Sequence, residues 1–193
     1  MKAPERIETE RLILRRPRLA DADAVYARYA SDPEVSRYMA WRLHDSPRTT
    51  RLFLEFSDAE WARWPAGPYL VESRADGRLL GGSGFAFETP YRAAVGYVFA
   101  KDAWGQGYAT ETVRATVDVA QKLGIARLYA LCHVDHAQSA RVLDKSGFVR
   151  EGVLQRYLEF PNSGAGGPAD VFCYARVFGV RPWGQTPGSD VRV

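Results

Sequence analysis

A glycine-containing stretch, Trp104–Glu111, constrains the fold more than any other part of the chain because it joins a strand-like segment to a helix-like one. Upstream, residues 94–99 are apolar and rich in β-branched and aromatic side chains, which is typical of a buried strand. Downstream, apolar residues from Val113 to Leu123 recur every three or four positions, as on the core-facing side of a helix. Gly105 and Gly107 therefore mark a predicted strand-to-helix turn.

A turn of this kind can hold a phosphate or pyrophosphate. The first backbone N–H groups of a helix have no partner within it, and the helix dipole places partial positive charge there. The pattern also suits a tight connection without a ligand, and both interpretations stay open at this point. No Lys-Ser or Lys-Thr follows Gly107, which excludes a P-loop, and Thr110 replaces the third glycine of a dinucleotide fingerprint.

Composition narrows the class of protein. The chain has 193 residues, of which 46% are hydrophobic and 25% charged, so it suits one domain or at most two small ones. Its net charge is +3, but the arginines are interspersed with 23 acidic residues, which argues against a nucleic-acid partner.

Without a long apolar run or an apolar leader, we expect no membrane association. Cys132 and Cys173 lie in apolar runs, so we expect free thiols in a reducing cytoplasm.

The remaining elements predict a mixed α/β fold with one sheet of about seven strands. The predicted strands cover residues 12–15, 69–72, 79–87, 94–99, 127–134, 148–160 and 169–176. Helices are predicted from an N-cap at Asp21, after Asp32-Pro33, after Ser46-Pro47, after the glycine turn, and from Asp135 or His136 to Ser146-Gly147. We expect a flexible hairpin loop over residues 161–168 and a flexible tail over residues 179–193.

Aromatic residues crowd the segment from 38 to 64. We expect Phe53 and Phe56 to belong to the core, because they recur at helical spacing. Trp41, Trp61 and Trp64 could either join the core or line a substrate cleft, since concave sites are often walled by aromatic rings.

With these elements placed, residues 8–178 resemble the GNAT N-acetyltransferase superfamily, and specifically its branch of RimJ/RimL-like ribosomal-protein N-terminal acetyltransferases. Three motifs carry the resemblance, in the order and spacing of that family. They are Glu8–Arg15, Val95-Gly96-Tyr97 leading into Trp104–Glu111, and Ser139 through Leu143–Phe148.

The resemblance implies that acetyl-CoA is the co-substrate and that no metal is needed. It places the pyrophosphate on the amides around Gln106–Thr110, and the pantetheine arm in a wedge where strand 94–99 splays from strand 127–134. Free backbone groups of Tyr97, Val98 and Phe99 would pair with the amides of that arm, as an added strand would. The implied cofactor-binding residues are Tyr97, Val98, Phe99, Trp104, Gly105, Gln106, Gly107, Tyr108, Ala109, Thr110, His136 and Ser139.

Four positions depart from the family pattern. Trp104 replaces the usual Gln or Arg of the glycine motif, and His136 replaces a frequent Asn. Leu143 stands where many relatives have the tyrosine that protonates the leaving thiolate. Ala94 stands where many have a glutamate before the Gly-Tyr pair.

Acetyl transfer to an amine needs a neutral nucleophile and a stabilised thiolate. An α-amino group has a pKa of about 8 and needs only a weak base, whereas a lysine amine has a pKa of about 10.4. The resemblance places Ser139 near the cofactor sulfur, so we expect it to contact the thiol. His133 and Glu88 are the further catalytic candidates we select, beside Glu72 and Asp135; Glu111 is expected to cap its helix.

The sequence therefore predicts an enzyme that moves an acetyl group from acetyl-CoA to a primary amine by direct attack. The acceptor is a protein N-terminus or a small molecule, and the final hairpin could pair two copies as a homodimer. Because the usual glutamate and tyrosine are absent from their expected positions, the alternative is a CoA-binding module without turnover.

Overall fold

A computed structural model describes residues 1–164 and 166–179, and one eight-stranded sheet organises them. The strands are β1 Arg6–Glu8, β2 Leu12–Arg15, β3 Pro68–Ser73, β4 Leu79–Thr89, β5 Arg92–Phe99, β6 Arg127–His133, β7 Val149–Glu159 and β8 Pro168–Val177. The α-helices are α1 Ala22–Val25, α2 Pro33–Ser36, α3 Pro47–Arg63, α4 Tyr108–Lys122 and α5 Ala137–Lys145. Leu19–Asp21 and Lys101–Ala103 form 3₁₀ turns, and Tyr26–Ala30 forms a π-helical turn.

The strands lie in the order β1-β2-β3-β4-β5-β6-β8-β7. The β5–β6 pair is parallel and the other neighbours are antiparallel, with α4 as the crossover between β5 and β6. The predicted mixed α/β fold is confirmed, but the sheet has eight strands instead of about seven. The extra strand, β1, has only three residues and alternates Arg6, Ile7 and Glu8, a pattern too short to predict a strand from sequence.

The core lies between the sheet and the helices packed against it. Alternate residues of β2, Leu12 and Leu14, are fully buried, and so are Val113 and Ala120 on the inner side of α4. Each fully buried leucine or valine side chain favours folding by about 1.5–3 kcal/mol. This burial fixes the direction of α4, and with it the position of the glycine turn at its start.

The glycines of β4 permit unusually close packing of the backbone. A Cβ atom on Gly81 would lie 2.1 Å from the carbonyl oxygen of Val98, and one on Gly84 would lie 2.5 Å from the Cα of Pro68. This close approach of the backbone is possible because these positions carry no Cβ atom. It holds β5, including Val98, tightly against β4.

Local sequence signals explain two of the three early helix starts. Asp32 accepts hydrogen bonds from the N–H groups of Glu34 and Val35 before α2, and Ser46 accepts one from Thr49 before α3. Asp21 occupies the predicted N-cap position of α1, but its side chain makes no capping hydrogen bond to that helix. Its carboxylate accepts instead from the N–H of Arg18 and forms an ion pair with Arg15.

The structure divides the aromatic residues between the core and the surface differently from the prediction. Phe56 is 57% exposed, so its assignment to the core is wrong, and Phe53 is half-buried. Trp61 is buried, donates its ring N–H to the carbonyl of Pro68 and belongs to the core, while Trp64 stacks on Phe87.

Cys132 and Cys173 are free thiols, and Cys132 is buried. Within the described ranges, none of the helices combines the length and the apolar character needed to cross a membrane. The predicted tail lies, apart from Gly179, outside the described residues.

Candidate active site

A wedge opens between the two parallel strands at the centre of the sheet. The β5–β6 register runs from Arg92–Arg127 to Ala94–Tyr129, although β5 continues to Phe99 and β6 to His133. On its other side, β6 stays paired with β8 along its whole length. The two central strands therefore separate beyond Ala94, and their inner faces border open space.

The glycine turn lies at the mouth of this wedge. Gly105 and Gly107 have φ angles of +74° and +80°, a region that glycine adopts without strain. Gly107 is the N-cap of α4 and supplies no capping side chain. The N–H groups of the first helical turn, at 108–110, are therefore available to an anion, as the sequence predicts for such a turn.

Glu111 attaches this turn to the first hairpin of the chain. Its carboxylate accepts hydrogen bonds from Thr9 Oγ1 at 2.6 Å, from the backbone N–H of Arg11 at 2.9 Å and from Arg11 Nε at 2.7 Å. Arg11 also donates to the carbonyl of Gln106 and lies over the ring of Tyr108. Two motifs that are 100 residues apart in sequence thus form one structural unit.

A second contact fixes the turn to the end of β5. Trp104 donates its ring N–H to the carbonyl oxygen of Phe99 at 2.7 Å. This bond uses one lone pair of the Phe99 carbonyl oxygen, a group that the sequence-based prediction assigned to pantetheine. Gln106 donates its side-chain amide to the carbonyl of Asp102, so its side chain points back toward the preceding 3₁₀ turn.

Two cavities meet in the wedge. The glycine-turn cavity, about 690 Å³, is lined by the turn and by the exposed edge of α5. The aromatic cavity, about 470 Å³, lies between the 38–44 segment, α3 and the centre of the sheet. Residues common to both linings define what we call the junction: Tyr38, Met39, Tyr97, Val98, His136 and Ser139.

Of the predicted cofactor-binding residues, the glycine-turn cavity brings together all except Gln106. Those that line it are Tyr97, Val98, Phe99, Trp104, Gly105, Gly107, Tyr108, Ala109, Thr110, His136 and Ser139. Arg37, Arg141 and Lys145 add positive charge to the same lining, opposed by Glu34 and Asp135. Free helix-start amides and nearby cations make a surface that suits phosphate groups.

Two hydroxyl groups meet at the junction. Tyr97 Oη lies 2.8 Å from Ser139 Oγ and 3.1 Å from the carbonyl oxygen of Ser139, and its single proton can be donated to either oxygen. Burial raises the pKa of Tyr97, so its phenol stays protonated at neutral pH. The sequence-based prediction assigned only backbone contacts to Tyr97, and no sequence signal pointed to this contact between β5 and α5.

Tyr38 packs between two histidines on the other side of the junction. Its ring centroid lies 4.8 Å from that of His133 and 4.7 Å from that of His136. The N–H of Asp135 donates to His133 Nδ1, so a neutral His133 ring carries its proton on Nε2. Burial, together with nearby His133, lowers the pKa of His136 and keeps that ring neutral.

Of the carboxylates proposed from sequence, Asp135 lines the glycine-turn cavity beside His136, whereas Glu88 and Glu72 lie away from the junction. Glu88 is on the β4–β5 hairpin outside the lining of both cavities. Hydrogen bonding from Tyr129 and the cation of Arg92 lower its pKa and make it a poorer base. Glu72 forms an ion pair with Arg15. The geometry therefore does not bring Glu88 to the site that contains Ser139 and His133.

One asparagine fixes the wall of the aromatic cavity. Asn162, in the loop between β7 and β8, accepts from the N–H of Leu43 at 2.9 Å. It donates to the carbonyls of Ser36 at 2.9 Å and Trp41 at 2.8 Å. The sequence-based prediction of a flexible loop missed this contact, which joins residues more than 100 positions apart and holds Trp41 at the cavity.

Among residues 1–164 and 166–179, no three His, Cys, Asp or Glu side chains form a group that could hold a metal ion. The chemistry available at the junction is that of hydroxyl, imidazole and backbone amide groups. Such groups can donate and accept protons and can stabilise a developing negative charge.

A family model and a curated relative both indicate the same protein family for this chain. The model of the acetyltransferase (GNAT) domain matches residues 11–149. An uncharacterized N-acetyltransferase of Bacillus subtilis, YoaA, is 31% identical over 160 residues, which cover 79% of this chain and 87% of that protein.

Solved structures share the fold. A GNAT-family acetyltransferase from Bacillus anthracis superposes with a TM-score of 0.77 at 26% identity, covering 89% of this chain and 98% of that one. RimL, a ribosomal L7/L12 α-N-protein acetyltransferase solved with coenzyme A, superposes with a TM-score of 0.79 at 22% identity. That match covers 90% of this chain and 98% of RimL.

Proposed function

Because the chain belongs to the GNAT acetyltransferase family, we propose that it transfers the acetyl group of acetyl-CoA to a primary amine by direct attack. The observation that carries the proposal is the meeting of two cavities at Tyr97, His136 and Ser139. One cavity has the free amides and cations that suit a phosphate-bearing donor. The other is walled by aromatic residues and can take the acceptor.

The glycine-turn cavity would hold acetyl-CoA. The amides of residues 108–110 would bind its pyrophosphate, and Arg141 and Lys145 would face its remaining phosphate. The pantetheine arm would enter the wedge, where the backbone of Tyr97 and Val98 can pair with its amides as an added strand would. This placement directs the thioester toward the junction.

The reaction needs a proton acceptor for the amine and a donor at the sulfur. The amine nitrogen attacks the thioester carbonyl carbon, the carbon–sulfur bond breaks, and an amide and coenzyme A result. We assign to Ser139, held by Tyr97, the hydrogen bond to the departing sulfur. The neutral ring of His136 takes the proton that the amine loses, and solvent returns a proton to the thiolate.

His133 has a different role in this proposal. It lines the aromatic cavity but not the glycine-turn cavity, and its Nδ1 is already an acceptor for Asp135 N–H. Its Nε2–H can therefore donate to a group on the acceptor. We assign it the orientation of the acceptor, while Glu88 takes no part.

Titration calorimetry with acetyl-CoA tests the donor site. Gly107→Val should abolish measurable binding, because a β-branched side chain is strained at a φ of +80° and its Cβ would lie 3.4 Å from Arg11 Nη2, a side chain that holds the turn in place. Gly124→Val is the matched control: Gly124 has a φ of +76°, follows the other end of α4 and has open space around its Cβ position. Equal binding by the wild type and the Gly107 variant would contradict this site.

Amine-dependent formation of coenzyme A, followed by mass spectrometry, tests turnover. Mass spectrometry is preferable to a thiol reagent because Cys132 and Cys173 are themselves free thiols. Binding of acetyl-CoA without formation of an acetylated amine would favour a CoA-binding module over an enzyme.

We also propose that β7 pairs two copies of the chain. It is the last strand of the described sheet, and Val149, Val153 and Tyr157 on it are 67%, 49% and 58% exposed. An edge strand with exposed apolar residues favours association. Light scattering should give the mass of a dimer, and Val153→Lys should yield a monomer; a wild-type monomer contradicts the pairing.

A further inference from the structure

The two cavities differ sharply in the charge of their linings. Arg37, Arg141 and Lys145 line the glycine-turn cavity. Among the described residues that line the aromatic cavity, none is an arginine or a lysine, and Glu60 is the one carboxylate. An anionic group on the acceptor would therefore enter an apolar space without a counter-charge, next to a carboxylate, which is unfavourable.

The histidines do not supply the missing positive charge. His44 bonds Thr50 through Nδ1, and burial lowers the pKa of its ring. Burial likewise lowers the pKa of His136. His133, the third, accepts a hydrogen bond at Nδ1 in its neutral form. The polar groups of this cavity are thus neutral or negative.

The walls are apolar and already in place. Phe53, Phe56 and Glu60 recur at helical spacing on the side of α3 that lines the cavity, which explains why Phe56 is exposed to an open cleft instead of the core. Trp41 stands opposite on a segment that Asn162 fixes. A cavity of about 470 Å³ has the size of a small-molecule site.

We propose that the acceptor is a small primary amine with an apolar, typically aromatic, body and no carboxylate or phosphate. The inference rests on the proposed acetyl transfer and names its acceptor class. An apolar cavity also disfavours the ammonium form of a bound amine, which lowers its pKa and supplies the neutral nucleophile. The carboxylate of Glu60 attracts the ammonium form of the acceptor as it approaches the cavity.

Three amines that share one ring and one ethylamine chain test the proposal. Phenethylamine has no second polar group, phenylalanine adds a carboxylate, and phenylalaninamide adds a neutral amide of similar size. With rates corrected for the neutral fraction of each amine, phenylalanine should have a kcat/KM at least about tenfold below both others. Equal values for phenylalanine and phenylalaninamide would overturn the proposal, and so would a preference for a peptide with a free N-terminus over phenethylamine.

A charge introduced into the cavity tests the same point from the protein side. Phe56→Arg should reverse the preference toward phenylalanine, because the new guanidinium can pair with its carboxylate. Leu52→Arg is the matched control, since Leu52 is 59% exposed on the same helix and lies outside the cavity lining. A Phe56→Arg enzyme with unchanged preference would contradict the proposal.

The outcomes separate this inference from the proposed function. If acetyl-CoA binds but no amine or peptide is acetylated, the proposed transfer fails and the acceptor class falls with it. If amines with and without a carboxylate are acetylated equally well, the proposed acetyl transfer is supported and only the proposed acceptor class is wrong.

Discussion

Tyr97 Oη lies 2.8 Å from Ser139 Oγ, and this contact joins the inner face of β5 to the first turn of α5 across the wedge. Both residues line both cavities, so the pair stands where a donor and an acceptor would meet. Leu143 occupies the position at which many relatives have a leaving-group tyrosine, and it is fully buried in the core. The Tyr97–Ser139 pair supplies hydroxyl groups that Leu143 does not.

Replacing Ser139 with alanine removes the hydroxyl that we assign to the departing sulfur. A hydrogen-bond donor aimed at a developing negative charge contributes about 10²–10³-fold to a rate, so kcat should fall by about 10²-fold. Binding of acetyl-CoA, measured by calorimetry, should change little because the backbone contacts remain. A kcat close to the wild type would remove Ser139 from the mechanism.

The Tyr97→Phe variant keeps the ring of Tyr97 and removes its bond to Ser139. Because Tyr97 acts through Ser139, we expect a smaller fall in kcat than for Ser139→Ala, of about tenfold. In a double variant the effects should not add, since the two hydroxyls act as one unit. Fully additive losses in steady-state kinetics would show that the residues work independently.

The Glu111→Ala variant should weaken both the fold and the donor site. It leaves the N–H of Arg11 without its acceptor and removes the shorter hydrogen bond of the Thr9 hydroxyl, which keeps only its 3.3 Å bond to the carbonyl of Leu12. The free energy of unfolding should therefore fall by about 1–3 kcal/mol. Acetyl-CoA should also bind less tightly because the glycine turn loses its anchor. Glu55→Ala, which removes an exposed helical ion pair with Arg51, should cost less than about 0.5 kcal/mol in the same urea titration.

The stability that Glu111 contributes to the fold should decrease as the pH falls. Burial acts to raise its pKa, but hydrogen bonds from Thr9 and Arg11 outweigh burial and hold the pKa below its usual value. A carboxylate of this kind stabilises the fold fully above its unfolded pKa of about 4.3, and the stabilisation is lost as pH falls through the folded pKa. The stability difference between wild type and Glu111→Ala should therefore shrink below about pH 4. A difference that grows toward acid pH in unfolding curves would reverse this assignment.

Asn162→Ala should raise the KM for the amine much more than the KM for acetyl-CoA. It removes three hydrogen bonds that hold the wall of the aromatic cavity at Ser36, Trp41 and Leu43. We expect the KM for the amine to rise at least about fivefold while the KM for acetyl-CoA stays within about twofold. Gln155→Ala, on the exposed side of β7, is the control amide. Equal changes in the two KM values would indicate a general loss of structure instead.

Much of the fold follows from local patterns in the sequence. The alternation in β2, the Asp-Gly turn before β4, Pro47 at the start of α3 and the glycines before α4 are each local signals, and the structure has the corresponding elements. β1 could not be predicted, because three residues are too few for a periodic pattern. Phe56 was misassigned because helical spacing alone cannot distinguish a face on the core from a face on a cleft.

The candidate site was harder to predict because its contacts join distant parts of the chain. Glu111 meets Thr9, and Asn162 meets Trp41, across more than 100 positions in each case. The Tyr97–Ser139 bond depends on how far β5 separates from β6, which no local signal specifies. The glycine turn was predicted because it is a local feature: the direction of its backbone N–H groups follows from the conformation of the turn itself.

Transfer of a labelled acetyl group tests the central claim most directly. The protein is incubated with acetyl-CoA carrying a deuterated acetyl group and with phenethylamine, and the products are quantified by mass spectrometry. We expect deuteroacetyl-phenethylamine in an amount equal to the coenzyme A formed, with both products strongly reduced in Ser139→Ala. Formation of coenzyme A without the labelled amide, or no turnover with any amine by protein that binds acetyl-CoA, would contradict that claim.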